Sequence, residues 1–167
     1  MEKSAAPAAI SLFPSNPTLR MVSMKPRKHL PRILAPLRHP KHRGEWAQIQ
    51  FMAEAARRGL HVLLPYGDSS HYDLVIGSLA GLHRIQVKST SVFRNRCYRA
   101  ETHRTYSPAD IDFMAIYVIA GDLWYLIPAR ALPPKRVISL YPHRLGSRGK
   151  YEKYRDAWHL LGQPTRV

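Results

Sequence analysis

The chain has 167 residues, 45% hydrophobic and 22% charged, with 26 Lys and Arg against 11 Asp and Glu for a formal charge of +15. That length suits one domain with a real core plus a tail, and no apolar run reaches the roughly 18 residues that a membrane-spanning helix needs. The single cysteine, Cys97, excludes intrachain disulfides and a multi-cysteine zinc site, and a reducing, cytoplasmic setting is expected.

Charge is spread over the whole chain. Residues 1–43 carry nine Lys and Arg against Glu2, and residues 44–167 carry 17 basic and 10 acidic residues. The part beyond the tail is therefore basic in its own right, which favours a polyanion partner, nucleic acid foremost. An acidic protein or a ribosomal surface is the alternative.

Residues 1–43 hold Pro14, Pro17, Pro26, Pro31, Pro36 and Pro40 and no sustained apolar period. They read as a disordered basic arm, with Arg27-Lys28 to His42-Arg43 the better candidates for phosphate contact. The N-terminus lacks the charged-then-apolar pattern of a signal peptide, and Met21 and Met24 are alternative starting points. The domain is expected over residues 44–162. Gly44 to Arg58 carries an apolar face at helical spacing through Ala47, Phe51 and Ala55, and Gly59 after two arginines is a helix stop. Glu45 falls in the first turn of that expected helix, where the dipole favours a carboxylate; the sharper reading turns it toward a site on the strands.

His61 to Leu64 is a short strand, and Pro65 to Ser70 a turn in which Asp68 serves as a cap or as a second acid. Tyr72–Ile76 and Leu82–Ser89 form a hairpin carrying one acid, Asp73, one amide, Gln86, and one amine, Lys88. Side chains alternate along a strand, so Gln86 and Lys88 share a face while Ile85 and Val87 point the other way. Thr90 to Tyr106 interleaves Arg94, Arg96, Arg99 and Arg104 with Phe93, Tyr98 and Tyr106, which suits a nucleic-acid backbone and bases or an ordinary solvated loop. Cys97 has no base beside it and reads as incidental. Asp112–Ile119 and Leu123–Ile127 form a second strand pair, Val137–Leu140 adds an edge strand, and Gly146–Gly149 is a basic loop. Tyr151 to Leu161 completes the series as a helix with Tyr154, Trp158 and Leu161 on one face.

Hard divalent cations take oxygen ligands, often one or two carboxylates with water and substrate phosphate. A lysine beside them can steer water or neutralise charge developing on phosphorus. Glu45, Asp73, Gln86 and Lys88 supply those groups. Each alone has a plain structural role, Asp73 as a turn cap and Lys88 as a snorkelling amine.

Glu45 on the helix, Tyr72-Asp73-Leu-Val-Ile76 and Ile85-Gln86-Val-Lys88-Ser-Thr90 resemble the PD-(D/E)xK nuclease superfamily. More narrowly they resemble its group I intron homing-endonuclease branch, whose third motif reads Gln-x-Lys. Pro65-Tyr-Gly-Asp68, Asp110-Ile-Asp112-Phe, Trp124-Tyr-Leu-Ile-Pro128 and Tyr151-Glu-Lys-Tyr-Arg-Asp-Ala-Trp158 are similar to that branch as well, so the likeness runs from about Gly44 to Leu161. His71 stands where the superfamily name has proline. The resemblance implies an α/β, restriction-endonuclease-like core, a central mixed β-sheet flanked by helices. It implies Asp73 as the main metal ligand and Glu45 as a helix-borne supporting acid. Gln86 replaces the second motif acid, its amide oxygen and the Val87 carbonyl helping to hold Mg²⁺ or Mn²⁺.

The leading expectation is a metal-dependent DNA endonuclease in which water attacks phosphorus, Lys88 orients that water, and Arg94, Arg96, Arg99 and Arg104 bind DNA. The alternative is a catalytically weak or inactive DNA-binding protein on a nuclease fold, motivated by Gln86. RNA is a distant third. Since one site cuts one strand, a double-strand break would call for a homo-oligomer, dimer or tetramer, or for sequential nicks.

Overall fold

The computed structural model describes residues 39–67, 69–143 and 149–163. Most of the expected arm, Asp68, and residues 144–148, which include most of the Gly146–Gly149 loop, lie outside the described residues.

The helix α1 spans Pro40–Arg57. It starts four residues before the expected Gly44, with Pro40 at the first position, where proline's fixed φ is helical and its missing N–H costs nothing. Glu45 is consequently beyond the first turn, and the dipole argument for it lapses. Ala47, Phe51 and Ala55 are fully buried at four-residue spacing, and burial of Phe51 alone contributes about 2–3 kcal/mol. The helix ends as the sequence predicts. Gly59 takes φ 73°, its N–H donates to the Ala56 carbonyl, and the Leu60 N–H donates to Ala55. This is the Schellman pattern, which needs a left-handed residue at Gly59.

Strands β1 (His61–Leu63), β2 (Leu74–Ser78), β3 (Gly81–Thr90), β6 (Phe113–Val118) and β7 (Leu123–Pro128) form a five-stranded sheet in the order β1-β2-β3-β6-β7. All neighbours are antiparallel except β3 and β6, which run parallel with Ile85 opposite Phe113 and Thr90 opposite Val118. The sheet is therefore mixed, as expected. Every residue of β6 and of the edge strand β7 is buried, as befits strands covered on both faces.

What covers the second face differs from the sequence reading. The stretch after β3 is no simple loop: β4 (Phe93–Arg94) and β5 (Cys97–Glu101) form a ribbon, and β5 pairs with β8 (Val137–Leu140) into a separate three-stranded sheet. Two apolar cores result. One lies under α1 and joins Phe51, Leu74, Ile85, Val87, Trp124 and Trp158. The other joins Tyr98, Met114, Ile116, Tyr125, Ile138 and Leu140 beneath the small sheet.

The expected final helix is replaced by two short 3₁₀ turns, Glu152–Tyr154 and Trp158–Leu161. Between them Asp156 takes φ 45°, receives the Trp124 N–H on its carboxylate and donates its own N–H to the Trp124 carbonyl. The segment thus caps the free edge of β7. Tyr151 and Tyr154 pack into the second core and Trp158 and Leu161 into the first, so they do not share a face. The segment then crosses the β2–β3 turn. A Cβ on Gly162 would come within 2.6 Å of Ser78 Oγ, and Gln163 accepts from Leu79 N–H at 3.0 Å. Among the described residues no helix is long and apolar enough to cross a membrane.

Candidate active site and basic cleft

The polar trio sits where β2 and β3 meet. Asp73 precedes β2 by one residue, its N–H donating to the Ile85 carbonyl at 2.9 Å. Its Oδ2 accepts from the Val87 N–H at 2.6 Å and from the Gln86 amide at 2.6 Å. On β3, Ile85 and Val87 enter the core under α1, and Gln86 and Lys88 stand opposite Met114 and Ile116, which belong to the other core. Strand alternation therefore puts Gln86 and Lys88 on the face away from the helix, and the Asp73 carboxylate reaches Gln86 there. Asp73 and Lys88 share a face.

Burial pushes the Asp73 carboxyl above its ordinary range, and the Val87 N–H, the charge of Lys88 and the Gln86 amide each work against that rise. The position is held from several sides. Gln48, on α1, donates to the Asp73 carbonyl at 3.3 Å. Arg84 is clamped by Asp112, whose Oδ2 accepts from the Arg84 backbone at 2.8 Å and whose two oxygens take the guanidinium at 3.0 and 3.1 Å. The same guanidinium donates to the carbonyls of Pro108 and Ala109. β3 is thereby fixed to the loop before β6.

That loop brings in a residue the sequence had not singled out for the site. The Tyr106 hydroxyl is pushed up by burial first and by the charge of Asp73 second, and its ring packs against the second core, which includes Met114 opposite Gln86. Arg104 lies 5.4 Å over that ring and donates to Asp110 at 2.8 Å; Asp110 also pairs with His71 at 3.0 Å and accepts from Ser107. Asp110 and Arg104 form a brace for the loop. Gln48 too was missed; it stands beside Ala47 on the expected helix, and no sequence pattern marks it.

Glu45 is exposed and makes no hydrogen bond or ion pair among the described residues. The structure gathers Asp73, Gln86 and Lys88, and no hydrogen bond or ion pair ties the Glu45 carboxylate to them among the described residues, although Gln48 one turn along the same helix reaches Asp73. No group of three His, Cys, Asp or Glu suited to a metal exists among the described residues. The donor set still fits one hard cation at its lower limit. Asp73 Oδ1 and Gln86 Oε1 have no hydrogen bonds among the described residues, and the Val87 carbonyl takes a long side-chain contact of 3.4 Å from the Gln86 amide. One carboxylate with neutral oxygens suffices where water and phosphate complete the shell.

Beside the trio opens a cleft of about 760 Å³, between the start of α1, the end of β3 and the β4–β5 ribbon. Lys41, Arg43, Lys88, Arg94 and Arg99 line it against one acid, Glu101. The Nε of Arg99 is buried without a hydrogen-bond partner among the described residues, a cost that an anion in the cleft would offset. Of the four arginines expected to bind nucleic acid, Arg94 and Arg99 line this cleft. Arg96 is exposed at the ribbon tip, and Arg104 is committed to Asp110 and Tyr106.

The comparisons with known proteins agree on the fold. The bacterial homing endonuclease I-Ssp6803I is similar at 31% identity and a TM-score of 0.66, over 74% of this chain and 91% of its own. Hjc, a Holliday junction resolvase from Archaeoglobus fulgidus, shares the fold at 12% identity and a TM-score of 0.50, over 74% of this chain and 99% of its own. No curated protein sequence matches. The PD-(D/E)XK endonuclease model matches residues 38–161. With the hairpin, the trio and the mixed sheet all inside that match, the chain belongs to the PD-(D/E)XK endonuclease family.

Proposed function

We propose that the protein is a divalent-metal-dependent DNA endonuclease that hydrolyses a phosphodiester bond with water. The observation that carries the reading is the convergence of Asp73, Gln86 and Lys88 on one face of the β2–β3 hairpin, with Lys88 also lining the basic cleft. Asp73 and the amide oxygen of Gln86, with the Val87 carbonyl, would hold Mg²⁺ or Mn²⁺. A cation bound there would supply Lewis acidity at the phosphate and acidify a water. Lys88 donates to the attacking water or to a non-bridging oxygen, countering the charge that grows on phosphorus. Lys41, Arg43, Arg94 and Arg99 hold the flanking phosphates. One such centre cuts one strand, so a double-strand break needs two copies or two events.

The test is cleavage of plasmid and linear DNA by the purified full chain with Mg²⁺ or Mn²⁺. Asp73→Ala and Lys88→Ala should each lower the rate by at least about a hundredfold with the fold intact. Undiminished cutting by both variants would sink the assignment. A second reading, DNA binding without turnover, draws on the Gln86 amide resting on Asp73 where the superfamily motif has an acid. It predicts DNA binding in EDTA and no cleavage with any divalent ion.

A further inference from the structure

The β4–β5 ribbon has a tip that sterics alone would not choose. Arg94 pairs with Cys97, so Asn95 and Arg96 are the two loop residues of the hairpin, and both have positive φ, 51° and 61°. A two-residue turn of this hand takes glycine most readily at its second position. An arginine there carries backbone strain that glycine would remove, and strain kept at an exposed position is a pointer to function. Arg94, Asn95 and Arg96 are all exposed, although nothing in the core needs them.

Behind the tip the ribbon is rigid. Phe93 packs on Tyr98 at 5.1 Å and on His143 at 5.6 Å, Thr90 Oγ1 donates to the Arg99 carbonyl at 2.6 Å, and Arg99 N–H donates to Val92 at 2.9 Å. Arg94 and Arg99 on its flanks line the basic cleft together with Lys88. A phosphate-binding floor thus leads into a stiff two-stranded ribbon crowned by an amide and a guanidinium. A two-stranded ribbon fits the roughly 12 Å major groove, where arginine pairs with guanine O6 and N7 and asparagine with adenine N6 and N7.

Resting on the nuclease reading above, we propose that the β4–β5 tip reads base edges in the major groove of duplex DNA, with Arg96 and Asn95 as the reading side chains. Arg94 and Arg99 then position the backbone and carry no sequence information. From Lys88 to Arg96 the chain spans eight residues, at most about 29 Å. At roughly 3.4 Å per base pair, the bases read lie within about eight pairs of the phosphate at Lys88.

The experiment is selection of bound duplexes from a randomised library, in Ca²⁺ or EDTA, by the full wild-type chain and by Arg96→Gly and Asn95→Gly. The wild type should enrich a preferred sequence. Arg96→Gly should lose discrimination at a guanine by about five- to a hundredfold, while its melting temperature stays at or above that of the wild type because the turn is relieved. A purely structural role for Arg96 predicts the same selected sequences at unchanged strength, and that result, or a wild type with no preference, overturns the proposal. Cleavage by the wild type without sequence preference removes this inference and leaves the nuclease; preference without cleavage does the reverse.

Discussion

The Gln86 amide nitrogen stands 2.6 Å from Oδ2 of Asp73, and the same oxygen takes the Val87 N–H at 2.6 Å. The carboxylate is held by donors on one side and kept open on the other. Such a group is poised for a ligand at a cost in stability, because its charge is buried.

That cost is measurable. The folded-state carboxyl of Asp73 is raised above the unfolded value, so ionisation works against folding above the folded pKa and ceases to matter once pH falls below about 3.9. Asp73→Asn keeps the acceptor for Val87 and removes the charge. Thermal unfolding should show the variant equal to or more stable than the wild type at neutral pH, with the gap closing as pH falls below that value. Cleavage should be abolished throughout. A variant markedly less stable at pH 7 would mean that the charge is compensated.

The arginines should divide in a salt titration of DNA binding. Each phosphate contact contributes about 0.9 to the slope of log affinity against log salt. Arg94→Ala and Arg99→Ala should each reduce the slope by about one. Arg104→Ala should leave the slope unaltered, since its guanidinium is held by Asp110 over Tyr106. Equal effects from all three would show that the cleft is not where the backbone lies.

Asp112 should behave oppositely to Asp73. Its carboxyl lies below the ordinary range, chiefly because Arg84 bonds it, so its contribution is present above about pH 3.9 and is lost as pH falls through the lower folded value. Asp112→Asn should cost about 1–2 kcal/mol near neutrality. The difference from the wild type should shrink in acid. Chemical denaturation at pH 7 and pH 3 checks both, and a pH-independent gap would assign the effect to packing.

The hairpin and its trio were legible because the information is local: Asp73, Gln86 and Lys88 follow from a period of two and a glycine turn. The small sheet was not. β5 pairs with β8 across some forty residues of sequence, Tyr98 meeting Leu140, and nothing near Tyr98 names that partner. The last segment misled for a definite reason. Tyr151, Tyr154, Trp158 and Leu161 have helical spacing, but a left-handed Asp156 divides them between two cores. Gln48 escaped notice because it acts through position, on a carbonyl, and belongs to no local pattern; Tyr106 stood out only as an aromatic among arginines, since its coupling to the charge of Asp73 is not local in sequence.

The parallel pairing of β3 with β6 has an evolutionary side. Both ends of the crossover between them are pinned by the sheet, so its contents can change without shifting the strand that carries Gln86 and Lys88. Most of that crossover is nonetheless tied down, since Tyr98 and Ala100 are core residues. Beyond the Phe93–Tyr98 contact only Arg94, Asn95 and Arg96 are exposed, with Cys97 buried behind them. Descendants of this chain could therefore acquire new target preferences through two codons, those of Asn95 and Arg96, each substitution testable by selection before any repacking was required.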